Sequence, residues 1–242
     1  SKRLEKIPLN FRHVSGSFYC ESNRELSSLE GCPETVGGNF HCFYTNIKTL
    51  EGGPKTVGDY YGASNNKLIS LEGGPNEVGG AFLCYKNELV SLVGGPKKVG
   101  GSYRCTDNKL TSLVGAPDYV GGTFRCDSNK LNNLEGSPKT INGLFFNASG
   151  NNLTSLEGFT ETFRKGMKLM LVDNPITDLY LFLNSDRTDQ DVMPAPLLNE
   201  WEAIDPDTME VSYSRLVEIF NEMGSTIPKM EDISIEHYKL VD

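Results

Sequence analysis

Apolar positions in this chain recur on a fixed beat. A large aromatic stands at Phe18, Phe40, Tyr61, Phe82, Tyr103, Phe124 and Phe146. Two residues later comes a small apolar one, at Cys20, Cys42, Ala63, Cys84, Cys105, Cys126 and Ala148. Between them the residue varies freely: Tyr19, His41, Gly62, Leu83, Arg104, Arg125, Asn147. Large apolar, variable, small apolar is the alternation of a strand with one face buried. An Asn follows at Asn23, Asn66, Asn87, Asn108, Asn129 and Asn151, then two leucine-type positions such as Leu110 and Leu113. Pro33, Pro54, Pro75, Pro96, Pro117 and Pro138 fall every 21 residues. A period of this length predicts a solenoid, in which each coil buries its apolar face only against its neighbours. Stacking the strands predicts one parallel sheet, one strand per coil, and the Asn column predicts a ladder of side chains bonding nearby backbone.

The return side of each coil carries Gly-Pro and Gly-Gly pairs, which break helices. It is expected to be extended and irregular, with at most short 3₁₀ turns. Gly37-Gly38, Gly79-Gly80, Gly100-Gly101 and Gly121-Gly122 precede the strand and read as turn glycines of positive φ. A phosphate-cradling loop is excluded by their recurrence in every coil and by the lack of a following Gly-Lys-Ser/Thr and helix. The beat slips by one residue between Cys20 and Leu26 and between Ile141 and Phe146. Phe159 stands where a seventh proline is expected, Thr45 replaces an Asn, and Asp59 replaces a glycine. The degenerate eighth coil fits the rule that terminal repeats cap.

The run Phe124-Arg125-Cys126-Asp127-Ser128-Asn129-Lys130-Leu131-Asn132-Asn133-Leu134 resembles a leucine-rich repeat, and its 21-residue unit resembles the short bacterial forms. The wording Ser-Leu-Glu-Gly-Gly-Pro followed by Val-Gly-Gly and the aromatic strand resembles repeat proteins encoded by tailed bacteriophages. The resemblance covers about residues 14–179, roughly two thirds of the chain. It implies a right-handed β-rich solenoid of about eight units. It also implies a phage origin, and with it action in the cytoplasm of an infected bacterium.

Charge divides the chain where the repeat ends. Residues 1–177 carry 19 Lys and Arg against 17 Asp and Glu, whereas residues 178–242 carry 4 against 15. Three regions are expected: an N-terminal cap segment over 1–13, the leucine-rich-repeat-like solenoid over 14–177, and an acidic, mainly helical C-terminal cap over 178–242. The cap is expected to hold one helix after Asp178 with Leu179, Phe182 and Leu183. A second would open at Pro194-Ala195-Pro196 with Leu197, Leu198, Trp201 and Ile204 on one face. A third would run from about Ser212 to Met223, with Leu216, Phe220 and Met223 in a stripe. Ile233, Ile235, Tyr238 and Leu240 would add a last strand or packed tail. The first helices are expected to pack on Leu169, Leu171 and Leu179. The acidic tail argues against nucleic acid as the partner, since phosphate would be repelled. No apolar run approaches the roughly 20 residues of a membrane helix, and no secretory signal is expected. Cysteines that alternate with alanine act as small buried groups, which favours reduced thiols over a disulfide scaffold. One thiol per coil, without a histidine in register, is poor spacing for a metal.

Function is expected in what the repeat leaves free. Along the outward strand face the first four coils present Tyr19, His41, Phe43, Tyr60, Leu83 and Tyr85, with Tyr44 at the edge. Arg104 and Arg125 sit beside them on adjacent coils. Contiguous exposed aromatics mark interaction sites, and Tyr and Arg are favoured anchors. The arginines suggest an acidic partner; the competing reading pairs them with Asp107, Asp127 and the rings inside the sheet. His13, His41 and His237 lie far apart in the pattern. No nucleophile elbow, zinc-protease helix or dinucleotide fingerprint occurs. The expectation is therefore a non-catalytic protein-binding module without cofactor or metal. Its partner would be a host protein, such as a defence factor, which it inhibits or sequesters. The alternatives are an enzyme or effector with activity in the acidic tail, and a virion or assembly component. A cysteine-dependent ubiquitin ligase tail is excluded, because no cysteine follows Cys126.

Overall fold

The computed structural model describes residues 4–8, 12–160, 162–165, 167–176, 204–205, 210–222, 229–233 and 239–241. Residues 13–170 form a parallel β-solenoid that advances by about 21 residues per coil. One eight-stranded sheet, the face sheet, is the expected one. Its strands are Phe18–Tyr19, Phe40–His41, Tyr61–Gly62, Phe82–Leu83, Tyr103–Arg104, Phe124–Arg125, Phe145–Asn147 and Lys168–Met170, stacked in chain order. In-register pairing aligns Phe18, Phe40, Tyr61, Phe82, Tyr103, Phe124, Phe146 and Leu169 in one column.

The return side differs from the single-sheet expectation. It forms a second eight-stranded parallel sheet, with Thr35–Val36, Thr56–Val57, Glu77–Val78, Lys98–Val99 and Tyr119–Val120 among its strands. Each contributes one exposed or half-exposed residue and one buried one, so Val36, Val57, Val78, Val99, Val120 and Ile141 close the core opposite the aromatics. Exposed Glu77 lies in register with Lys98 and bonds its ammonium at 2.8 Å, a surface pair that adds little to stability.

The core is a set of parallel columns. Aromatic rings from Phe18 to Phe146 succeed one another at centroid separations of 4.9 to 6.0 Å. Phe159, in the proline position of the last coil, continues the stack at 5.1 Å from Phe146. Cys42, Cys84, Cys105 and Cys126 are fully buried free thiols; Cys20, in the first coil, is half-buried. Burial pushes the Cys84 thiol up to about 12 and raises Cys42, Cys105 and Cys126 in the same direction.

The Asn ladder is present in full from Asn66 to Asn174. Each carboxamide donates to a carbonyl of its own coil and one of the coil before, as Asn108 does to Cys105 and Cys84, both at 3.0 Å. From Asn87 onward its oxygen accepts a backbone N–H two residues past the ladder position of the preceding coil, as Asn108 does from Leu89, whereas Asn66 accepts the N–H of Thr45. Thr45 substitutes by sharing its one hydroxyl proton between the Cys42 carbonyl at 3.1 Å and the Asn66 carboxamide oxygen at 2.8 Å. Asn23 stands outside the ladder and donates instead to the Leu4 carbonyl, consistent with the extra residue in its coil.

The glycine expectation is corrected. Positive φ belongs to Gly31, Gly52, Gly73, Gly94, Gly115, Gly136 and Gly158, not to the Gly-Gly pairs. These glycines sit third in a four-residue turn closed by bonds such as Gly95 N–H to the Leu92 carbonyl, and that position requires φ > 0. The pairs are needed for a different reason. A Cβ on Gly58, Gly79, Gly100 or Gly121 would run into the carbonyl oxygen of the matching glycine one coil earlier.

Beyond residue 176 the described residues hold one helix, α1 (Tyr213–Glu222), and a three-stranded sheet of Ile204–Asp205, Glu210–Ser212 and Lys239–Val241. A mainly helical tail was expected; a 3₁₀ turn at Met230–Asp232 joins α1 there, and most of 178–242 lies outside the described residues. α1 begins where the sequence placed its third helix, with the Ser212 hydroxyl accepting the Arg215 N–H as N-cap. Leu216 and Ile219 are buried along it, and Lys239–Val241 is the expected last strand. The two expected helices with Leu179, Phe182, Leu183, Leu197, Leu198 and Trp201, the packing on Leu179, the Met223 position, Ile235 and Tyr238 lie outside the described residues.

Candidate functional site

The face sheet positions every candidate. Its variable column runs Tyr19, His41, Gly62, Leu83, Arg104, Arg125, Asn147, Met170 in strict register. Gly62 is the key to its shape. A Cβ there would lie 2.5 Å from Tyr60 Cε1 and 2.9 Å from Phe43 Cδ1, so the two rings lean over the strand where it carries no side chain. His41 packs at the centre of the group, 4.8 Å from Tyr19, 5.0 Å from Phe43 and 4.9 Å from Tyr60 between ring centroids. Phe43 meets Tyr44 edge-on at 6.0 Å. The separations are those of favourable edge-to-face pairs.

Tyr60 links this cluster to the next coils. Burial, and then the neighbouring Tyr85, push its hydroxyl up to about 12. The Arg104 guanidinium carbon lies 4.4 Å from the Tyr85 ring centroid, a cation–π contact, and its Nε donates to the Thr106 hydroxyl. A packed ring cluster from Tyr19 to Tyr60 is thus followed on the next coils by Tyr85 under Arg104. Tyr19 is 58% and Tyr44 50% exposed; His41, Phe43, Tyr60, Leu83 and Tyr85 are half-buried by one another.

The arginines divide. Arg125 is already satisfied: its Nε and Nη2 donate to both Asp127 carboxylate oxygens at 3.0 and 3.1 Å, and Asp127 also accepts from Thr106. The in-sheet pairing holds for this residue, and its charge is internally compensated. Arg104 has no carboxylate within ion-pair distance among the described residues and stays available over Tyr85. Ser64, Thr106, Asp127 and Asn147, one position or two along the same face, are buried between coils rather than solvated. Phe145, by contrast, is exposed.

Sequence reasoning missed a cleft beside Tyr44. It has a volume of about 420 Å³ and is lined by Arg24, Tyr44, Thr45, Asn46, Asn65, Asn66 and Lys67. It opens at the coil where Thr45 interrupts the ladder, which was its only signal in the sequence. Among the described residues no group of His, Cys, Asp and Glu side chains is arranged to hold a metal. No helix of the described residues is long and apolar enough to cross a membrane. No family model, curated protein or solved structure matches the chain.

Proposed function

We propose that the protein is a binding module whose face sheet docks a protein partner through the ring band from Tyr19 to Tyr85, extended by Arg104. The observation that carries this reading is the band itself: seven coils share one core pattern, yet bulky rings crowd the outward positions of the first four. The fold makes no demand for them there, because the equivalent outward positions of the fifth and sixth coils hold Ser102, Thr106, Thr123 and Asp127, and a ring returns only at Phe145 in the seventh. Rings held edge-to-face on a rigid sheet lose little entropy on docking, which suits them as anchors. With Arg125 neutralised by Asp127, Arg104 is the cation of this band.

That the partner is a host protein which the chain sequesters or inhibits rests on the resemblance of the repeat wording to phage proteins. The test begins with a partner recovered by affinity capture from bacterial lysate and then purified. Phe43→Ala and Tyr85→Ala should each weaken its affinity by about 2 kcal/mol, as expected for central anchors, while urea midpoints change little. Affinity unchanged in both variants, but lost on replacing acidic residues of 178–242, would move the site to the tail and overturn the proposal.

A further inference from the structure

Five polar side chains around the cleft beside Tyr44 have nothing to do. Arg24 and Lys67 make no ion pair or hydrogen bond with any described residue, and neither do the carboxamides of Asn46 and Asn65 or the hydroxyl of Tyr44. Five of the seven backbone N–H groups lining the cleft are committed. The N–H groups of Tyr44, Asn46, Asn65 and Lys67 bond the carbonyls of Ser64, Leu26, Tyr85 and Ile47. That of Thr45 bonds Asn66, whose carboxamide is spent on Cys42 and Ala63. Tyr44 and Asn65 are held at φ 55° and 56°, the left-handed region, which fixes where their side chains leave the turn.

We propose that this cleft is an anion subsite that takes a carboxylate, the side chain of an Asp or Glu on the docking protein. It rests on the proposed docking of a protein to the adjoining rings, to which Tyr44 is joined through Phe43. Two cations without an ion pair among the described residues set the sign of the ligand. The donor inventory sets its kind. Phosphate cradles are built from runs of successive free backbone N–H groups or a helix N-terminus, and here the N–H groups of Tyr44, Thr45, Asn46, Asn65 and Lys67 are consumed, which leaves no such run. What is left is one planar guanidinium fork, one ammonium and two neutral amides; the fork takes the two coplanar oxygens of a carboxylate, with the ammonium and the amides at its rim. A cleft of about 420 Å³ has room for a carboxylate side chain with its stem against the Tyr44 ring.

The test uses the full chain and small probes, so it does not need the partner. N-acetylglutamate N-methylamide is titrated at constant low ionic strength while the Arg24 Nε–H and the Asn46 and Asn65 carboxamide signals are followed by NMR. The glutamine analogue and inorganic phosphate are titrated in parallel. Saturable shifts at these three side chains with the glutamate probe alone are expected. The variant Arg24→Gln/Lys67→Gln should retain the wild-type backbone spectrum elsewhere and bind the probe about tenfold or more weakly. Shifts that fail to saturate, equal shifts with the glutamine probe, or unchanged affinity in the double variant would each overturn the carboxylate assignment. So would phosphate binding more tightly than the glutamate probe. If the probe fails while Phe43→Ala still abolishes partner binding, only this inference falls. If the probe binds while Phe43→Ala leaves partner binding intact, the ring-band reading falls instead.

Discussion

At the scale of single residues, Asn108 shows how much of the fold one side chain can hold. Its carboxamide donates to carbonyls of two coils and accepts the N–H of Leu89, all inside the core. Replacing it with Ala leaves that N–H and two carbonyl lone pairs short of partners, where each missing bond costs on the order of 1 kcal/mol or more. Asn108→Ala should therefore lose about 3 kcal/mol in urea unfolding. A loss below about 1 kcal/mol would mean that neighbouring coils relax to re-pair the backbone. Asn108→Asp is a sharper probe, since it keeps the acceptor but turns the donor into an acceptor facing two carbonyls. Asn→Thr is tolerated naturally at Thr45 because a hydroxyl can donate to the same Cys42 carbonyl. It leaves room alongside, and that room is the cleft lined by Arg24 and Lys67. The binding anchors belong to this scale too. Phe43 and Tyr60 can lean together only because Gly62 lies beneath them.

At the scale of elements, the strands are two or three residues long and are held by stacking rather than by length. The small column shows what stacking does to chemistry. Thiols at Cys42, Cys84, Cys105 and Cys126 are enclosed, and burial raises them well above the usual cysteine range. A raised thiol pKa means less thiolate at any given pH, so native protein treated with iodoacetamide at pH 8 should keep these four unmodified and label them only in urea. Native labelling of Cys105 would contradict the enclosed column. This column was legible in the sequence, because alternation with Ala63 and Ala148 can be satisfied only by a small buried group. The second sheet was not. Thr56–Val57 or Lys98–Val99 shows a single alternation step between glycines, too short for a period of two to stand out. The Gly-Gly pairs misled for a related reason. Glycine serves both positive φ and close backbone approach, and only the stacked coordinates separate Gly94, which needs the first, from Gly100, which needs the second. On the face, the ring band was readable as outward positions. The Arg125–Asp127 pairing was also visible as two residues on one side of a strand, whereas the cleft depends on which backbone donors are already used.

At the scale of the whole molecule, the chain is a one-dimensional stack, and each coil depends chiefly on the two it touches. Lys86 and Asp107 share the left-handed backbone that precedes the ladder, at φ 55° and 54°. Asn87 and Asn108 then occupy identical ladder positions. Deleting residues 87–107 therefore joins two chains of matching conformation and removes one whole 21-residue coil. The aromatic column would close from Phe82 onto Phe124 and the cysteine column from Cys84 onto Cys126, with Asn108 taking the ladder place of Asn87. The shortened protein should fold, with a β-type circular dichroism spectrum and a cooperative urea transition. Deleting only residues 87–96, about half a coil, should fail, because the chain then meets the sheets out of phase by far more than the single extra residue absorbed between Phe18 and Phe40 and between Phe124 and Phe146. The same pair of deletions bears on function. The 21-residue deletion removes Arg104 and Thr106 but keeps Tyr19, His41, Phe43, Tyr44, Tyr60, Leu83 and Tyr85 on consecutive coils. A partner that docks on the ring band should bind the shortened protein with affinity reduced only by what Arg104 contributes, and that difference should shrink as salt is raised. If the shortened protein folds but binding is abolished at every salt concentration, the partner is reading the full length of the solenoid rather than its first four coils.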